Sequence, residues 1–252
     1  RMARYGVKAA PEAAPRALLR RVHLDLTGLP PTPAEVEDFL RDPGDEAYAE
    51  IVDDLLSRPQ YGERWGRHWL DVVRYAESKG YERDEYKKFV WRYRDYVIAS
   101  FNADKPYDRF VREQIAGDEI DPANREALTA TMYLRHWIYE HNQRDVETQW
   151  SDILNDITDV TGDVFLAMGV QCARCHDHPT DPIPTADYYR LAAALAGTRH
   201  PVPKTKQKSY SVVSKKSEVM HVFHRGDTTQ PREEVSPGGL SALANPSPDF
   251  AL

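Results

Sequence analysis

Apolar positions along this chain recur mostly three and four residues apart, the signature of helices with one buried face. Thr32-Pro33-Ala34-Glu35 fits a capping box with proline at the first helical position, and Val36, Phe39 and Leu40 follow it. Tyr48, Ile51, Val52, Leu55 and Leu56 continue at helical spacing. In "YGERWGRHWLDVVRYAES", the positions Trp65, Trp69, Val72, Val73 and Ala76 predict one apolar face. "DKPYDRFVREQIAGDE" predicts a helix opened by Pro106 and stopped at Gly117. The longest pattern runs from Val146 to about Met168, through Trp150, Ile153, Leu154, Ile157, Val160, Val164 and Phe165. A last helix, from about Thr185 to Ala196, is closed by Gly197.

After His200 the pattern breaks. "PVPKTKQKSYSVVSKKSE" is basic and polar, "VMHVFHRGD" predicts one short strand, and "TTQPREEVSPGGLSALANPSPDF" is rich in proline, glycine and serine. The fold class read from this is all-α: a multi-helix domain over residues 1–200, then an extended linker or strap over 201–252 leading toward a further domain. Val219, Val222 and Phe223 are its expected anchors, and no core of its own is expected.

Composition narrows the classes. The chain has 252 residues, 41% hydrophobic and 29% charged, ordinary for a globular protein with a sizeable core. A formal charge of -7 argues against non-specific nucleic-acid binding, which needs a basic stripe. No apolar run approaches the roughly 20 residues that span a bilayer. "RMARYGVKAAPEAAPR" lacks the apolar core of a secretory signal, so either a signal has been removed or the chain begins inside a longer protein. Two cysteines three residues apart cannot staple a domain of this size.

Those two cysteines lie in "GVQCARCHDHPTDP", where Cys172-Ala173-Arg174-Cys175-His176 is C-x-x-C-H, the c-type haem attachment pattern. The spacing suits the chemistry. Two thiols separated by two residues lie on one side of a tight turn and can add to the vinyl groups of one haem edge. The next histidine then supplies an axial nitrogen. Structural zinc would need a fourth ligand beyond Cys172, Cys175 and His178, and no second C-x-x-C or H-x-x-x-H is present. A thioredoxin-like redox pair belongs in a βαβ context, whereas a long helix leads in here. Haem c, one per chain, is the preferred reading of the three.

Several segments in order, "RRVHLDLTGLPPTPAEVEDFL", "YGERWGRHWLDVVRYAES", "WRYRDYVIASFNADKPYDRFVREQIAGDE" and "CARCHDHPTDPI…DYYRL", resemble the planctomycete-type cytochrome domain family. The resemblance covers about residues 16 to 196. It implies an exported helical domain, periplasmic or otherwise outside the cytoplasm, with one C-x-x-C-H site, often fused to a second domain and to another cytochrome module. It implies location and cofactor more than reaction. Where similar sequences often carry lysine and an aromatic after His178, this chain has Pro179 and Thr180, which leaves the attachment motif intact.

The expected role is single-electron transfer with a redox partner protein or within a larger complex, rather than stand-alone catalysis. A peroxidase-like enzyme with an open iron face, or an adaptor subunit stapled by haem, are the alternatives, and the second axial ligand decides between transfer and catalysis. His178 is too close to His176 to reach the opposite face, so it reads as a donor behind the ligand or a surface residue. Met168 and Met132 read as core. His23, His136, His141, His200, His221 and His224 are scattered. His68 stands between Trp65 and Trp69 on a face expected to be buried, so it is the candidate second iron ligand, with the two indoles lining the haem. Arg64, Arg67, Arg74 and Arg174 are candidate propionate partners whose surface reading is preferred.

Overall fold

A computed structural model describes residues 2–6, 8, 10–80, 84–139, 146–199, 213–214 and 219–243. Nine α-helices occur among them: α1 (Pro15–Leu26), α2 (Pro33–Arg41), α3 (Asp45–Ser57), α4 (Pro59–Val72), α5 (Trp91–Asn102), α6 (Tyr107–Ile120), α7 (Arg125–Ala130), α8 (Val146–Thr161) and α9 (Thr185–Leu195). Four short strands, β1 (Thr198–Arg199), β2 (Val213–Ser214), β3 (Met220–Phe223) and β4 (Pro231–Val235), pair antiparallel as β1–β2 and β3–β4. The protein is therefore mostly helical, and the all-α expectation needs these two small sheets added. Two compact units form, one within Arg1–Trp69 and Val97–Lys105, the other within Leu70–Tyr96 and Pro106–Leu252.

In the first unit the local signals are realised as written. The Thr32 hydroxyl accepts from the Glu35 amide at 3.3 Å and the Glu35 carboxylate accepts from the Thr32 amide at 2.6 Å, closing the capping box of α2. Helix α3 carries Asp45 and Glu46 in its first turn, where they complement the helix dipole. It stops at Arg58, which precedes a proline and takes an extended conformation for that reason.

Helix α4 does not bury the face its sequence suggests. Gly62 and Gly66 face inward, while Trp65 and His68 are exposed and Trp69 is half-buried. The reason is close approach: the Gly62 amide donates to the Asn102 side chain at 2.8 Å, and a Cβ on Gly62 would lie 2.5 Å from the Ile98 carbonyl oxygen. A Cβ on Gly66 would meet only the Ile98 side chain, at 3.3 Å. Glycine's missing side chain lets α5 seat against this face, so the indoles are displaced outward. Helix propensity favours alanine by about 1 kcal/mol at both sites. At Gly62 the collision is with backbone, so Gly62→Ala is expected to cost a net of about 2 kcal/mol. Gly66→Ala should be neutral or stabilising, because a side-chain terminus can turn aside. Urea midpoints at constant slope measure both, and equal effects would rule out this packing account.

In the second unit, Tyr93 donates to Gln114 and Tyr96 to Glu113, and the Tyr96 ring stacks on Phe110 at 5.8 Å. Helix α6 runs past Gly117 to Ile120 with a kink at Ala116. Helix α8 ends seven residues before Met168, at Thr161: a π-type turn over Gly162–Leu166 follows, and Ala167 turns left-handed at φ 52°. This bend aims the chain into the cysteine loop. Val170, Ala173, Ile183, Tyr188, Tyr189, Val222 and Leu240 form one buried cluster, with Met168 and Phe223 packed against it.

Of the expected anchors, Val222 is buried and Phe223 meets the Tyr189 ring edge-on at 5.4 Å. Val219 is 62% exposed and anchors nothing. The single expected strand is one arm of a hairpin, because β4 pairs Val235 with Met220 and Pro231 with Phe223.

Candidate functional site

The cysteine loop is a 3-10 turn, Val170–Arg174, laid on the cluster just described. Its spacing sorts the side chains: Val170 and Ala173, three apart, are buried, while Cys172 and Cys175, also three apart, are exposed and free. The Cys175 amide donates to the Cys172 carbonyl at 3.4 Å, holding both thiols on one side of the turn. The Tyr189 hydroxyl donates to the Arg174 carbonyl at 2.9 Å and fixes the loop from α9 beneath. Burial, with the Cys175 sulfur next in effect, pushes the Tyr189 phenol up to about 12, so it stays a donor.

His176 is exposed, and its Nδ1 lies 2.7 Å from the Asp177 carbonyl oxygen. A carbonyl only accepts, so Nδ1 carries the proton and Nε2 presents its lone pair outward. Metal-bound histidines use this arrangement, in which the far ring nitrogen donates to a backbone carbonyl. Asp177 in turn accepts from the Thr185 amide at 2.8 Å at the start of α9, which ties the histidine's neighbour to that helix. Two free thiols on one face and an imidazole with the free Nε2 are the donor set that a covalently attached haem requires.

His178 is not the surface residue that one of its two readings made it. Its side chain is 10% exposed, and its Nδ1 accepts from the Asp181 amide at 2.9 Å, closing the turn after the motif. Asp159, on α8, has a carboxyl pushed up to about 6 by burial, with Tyr188 and Arg174 pulling the other way. Arg174 stands 4.0 Å from it. Arg74 is bound to Asp156 and only 23% exposed, so the solvated reading fails for it. Arg64 packs over Gly28.

The hairpin turn after β3 is the neighbour the sequence did not reveal. Arg225 and Gly226 are both left-handed, at φ 52° and 78°, and a Cβ on Gly226 would lie 3.1 Å from the Cys175 sulfur. The turn therefore bounds one side of that thiol. His224, read as scattered, begins this turn, with its Nδ1 facing the Arg232 guanidinium. The only signal in the sequence was the Arg-Gly-Asp run, a turn former with no stated partner.

His68, Trp65 and Trp69 belong to the first unit and the cysteine loop to the second. The His68 ring sits 5.5 Å from that of Trp65 on the outer face of α4. The burial that recommended it as a ligand is absent, since glycines occupy the inward positions.

Fold and loop together define a mostly helical protein with a paired-cysteine and histidine loop seated on an aromatic core. The chain belongs to the family described as PSCyt2: Protein of unknown function (DUF1549), whose profile matches residues 1–200. No curated protein and no solved structure matches it. No helix among the described residues is long and apolar enough to cross a membrane.

Proposed function

We propose that this chain is an exported mono-haem c-type cytochrome module that passes single electrons within a larger redox assembly. The observation that carries the reading is the His176 ring: its Nδ1 is held by the Asp177 carbonyl beside two free, exposed thiols, which leaves Nε2 for iron. Haem c, when bound, supplies a one-electron iron couple. Cys172 and Cys175 would hold it by thioether bonds and His176 would ligate it. The buried pair Val170 and Ala173 keeps the turn rigid, so the thiols and the imidazole need little rearrangement to act together.

A pyridine haemochrome spectrum with intact mass tests this. The expected mass exceeds the polypeptide by one haem, and Cys172→Ala with Cys175→Ala abolishes the increment without changing the helical signal. A mass of apoprotein plus zinc would overturn the reading. His68→Ala tests the second iron ligand: a switch from low-spin to high-spin marks His68 as that ligand, and an unchanged spectrum removes it. A haem-loaded protein found in the cytosol would refute export.

A further inference from the structure

Helices α1, α2 and α3 of the first unit enclose a cleft of about 320 Å³ far from the chemistry of the cysteine loop in sequence. Its floor is Leu19, Phe39 and Ile51, the first two almost wholly buried. Its rim is acidic: Glu35, Asp38, Glu50 and Asp54 line it with one arginine, Arg58. The register is helical, with Leu19 and His23 one turn apart on α1 and Glu50, Ile51 and Asp54 on one face of α3.

The rim charges are not equally available. Arg58 bonds Glu35 at 2.7 Å and Asp54 at 2.5 Å. Burial would raise the Glu35 carboxyl, but hydrogen bonds from Thr32 and Arg58 hold it down at about 2. Asp38 meets only Arg41, across a pair that is 65% and 75% exposed, which is worth little. Glu50 has no ion pair among the described residues. Two carboxylates thus face the cleft unneutralised or nearly so.

An acidic rim alone would mean a solvated surface. The second observation is His23. It is 2% exposed, lines the cleft, and its side chain makes no hydrogen bond among the described residues. Neither ring nitrogen is among the fully buried polar atoms that lack a partner, so what contact they have with solvent is through the cleft. Burial lowers its pKa more than Glu35 and Asp54 raise it, so the ring is neutral at pH 7 and offers one N–H and one lone pair.

We propose that this cleft binds a small organic amine: its ammonium lies at the Glu50 and Asp38 rim, its apolar body lies on Leu19, Phe39 and Ile51, and a hydroxyl at its far end meets His23. The cation answers the unneutralised carboxylates, the body covers the buried floor, and the hydroxyl satisfies the imidazole. A metal ion does not suit the site, since no group of three ligating side chains converges among the described residues. This inference is independent of the haem reading and stands or falls without it.

Three probes separate the three contacts: tyramine carries amine and hydroxyl, phenethylamine lacks the hydroxyl, and 4-ethylphenol lacks the amine. They are titrated into the full chain while the His23 imidazole is followed by NMR. Tyramine is expected to bind most tightly, and 4-ethylphenol about tenfold more weakly, as loss of a charge-assisted contact implies. His23→Phe should erase the advantage of tyramine over phenethylamine. If that variant fails to fold, Glu50→Gln serves, since Glu50 is exposed; it should weaken both amines several-fold and leave 4-ethylphenol unchanged. Equal binding of amine and phenol overturns the proposal, as does an unmoved His23 signal at roughly 10 mM tyramine.

Discussion

A chain ending at His200 is expected to lose the cooperative melt of the unit that holds the cysteine loop. The cluster beneath that loop draws Val222 and Leu240 from beyond this point, at 4% and 2% exposure, and Phe223 covers Tyr189. Fully burying a Val or Leu side chain is worth about 1.5–3 kcal/mol, so losing both removes about 3–6 kcal/mol. Domains are stable by only about 5–15 kcal/mol in all. Truncation would also bare Val170, Ala173, Ile183 and Tyr189, a contiguous apolar surface prone to association. Near-ultraviolet circular dichroism with thermal melting checks this. A truncated chain that melts as sharply as the full one, within a few degrees, would show the hairpin to be dispensable.

What the sequence showed and hid follows from the range of the interactions. The capping box at Thr32 and Glu35 is local, and it is there atom for atom. The cysteine motif was equally plain, and so was the need for an imidazole beside it. The inward face of α4 was misread because hydrophobicity points to Trp65 and Trp69, whereas Gly62 and Gly66 become buried only when α5 is in place. Strand β4 could not be read at all: four of its five residues are exposed, so it has no alternation to find. His178 could be read as a surface residue, and its role in accepting from the Asp181 amide depends on a turn that spacing alone does not reveal.

Replacing Lys87 with methionine is expected to stabilise the protein by about 2–3 kcal/mol at pH 7. Lys87 is 3% exposed, its ammonium donates to the His136 carbonyl at 3.2 Å, and no carboxylate pairs with it among the described residues. Burial, then the Arg74 and Arg135 charges, push its pKa down to about 8 from 10.5. A base with a depressed folded pKa resists protonation. Its contribution to stability is therefore present above pH 10.5 and lost as pH falls through 8. Unfolding free energy of the parent should rise between those values, and Lys87→Met should flatten that rise. Asp159 acts in the opposite sense: with its carboxyl raised from 3.8 to about 6, its contribution is full below 3.8 and lost as pH rises through 6. Denaturant titrations across pH 4 to 11 test the pair. A parent curve flat between pH 8 and 10.5 would sink the Lys87 assignment.

The turn at Gly226 gives the loop a history as well as a shape. Gly226 follows Cys175 by 51 positions, the difference of their numbers in the chain. At the ~5–20 residues per second of synthesis, the thiol is made roughly 3–10 s before the turn that will border it. During that interval it is open from every side; afterwards one side is closed by backbone. Any bulky adduct at this sulfur therefore has the most room on the nascent chain, and a late arrival must displace the Gly226 turn, whose hairpin is seated through Val222 on the cluster beneath the loop.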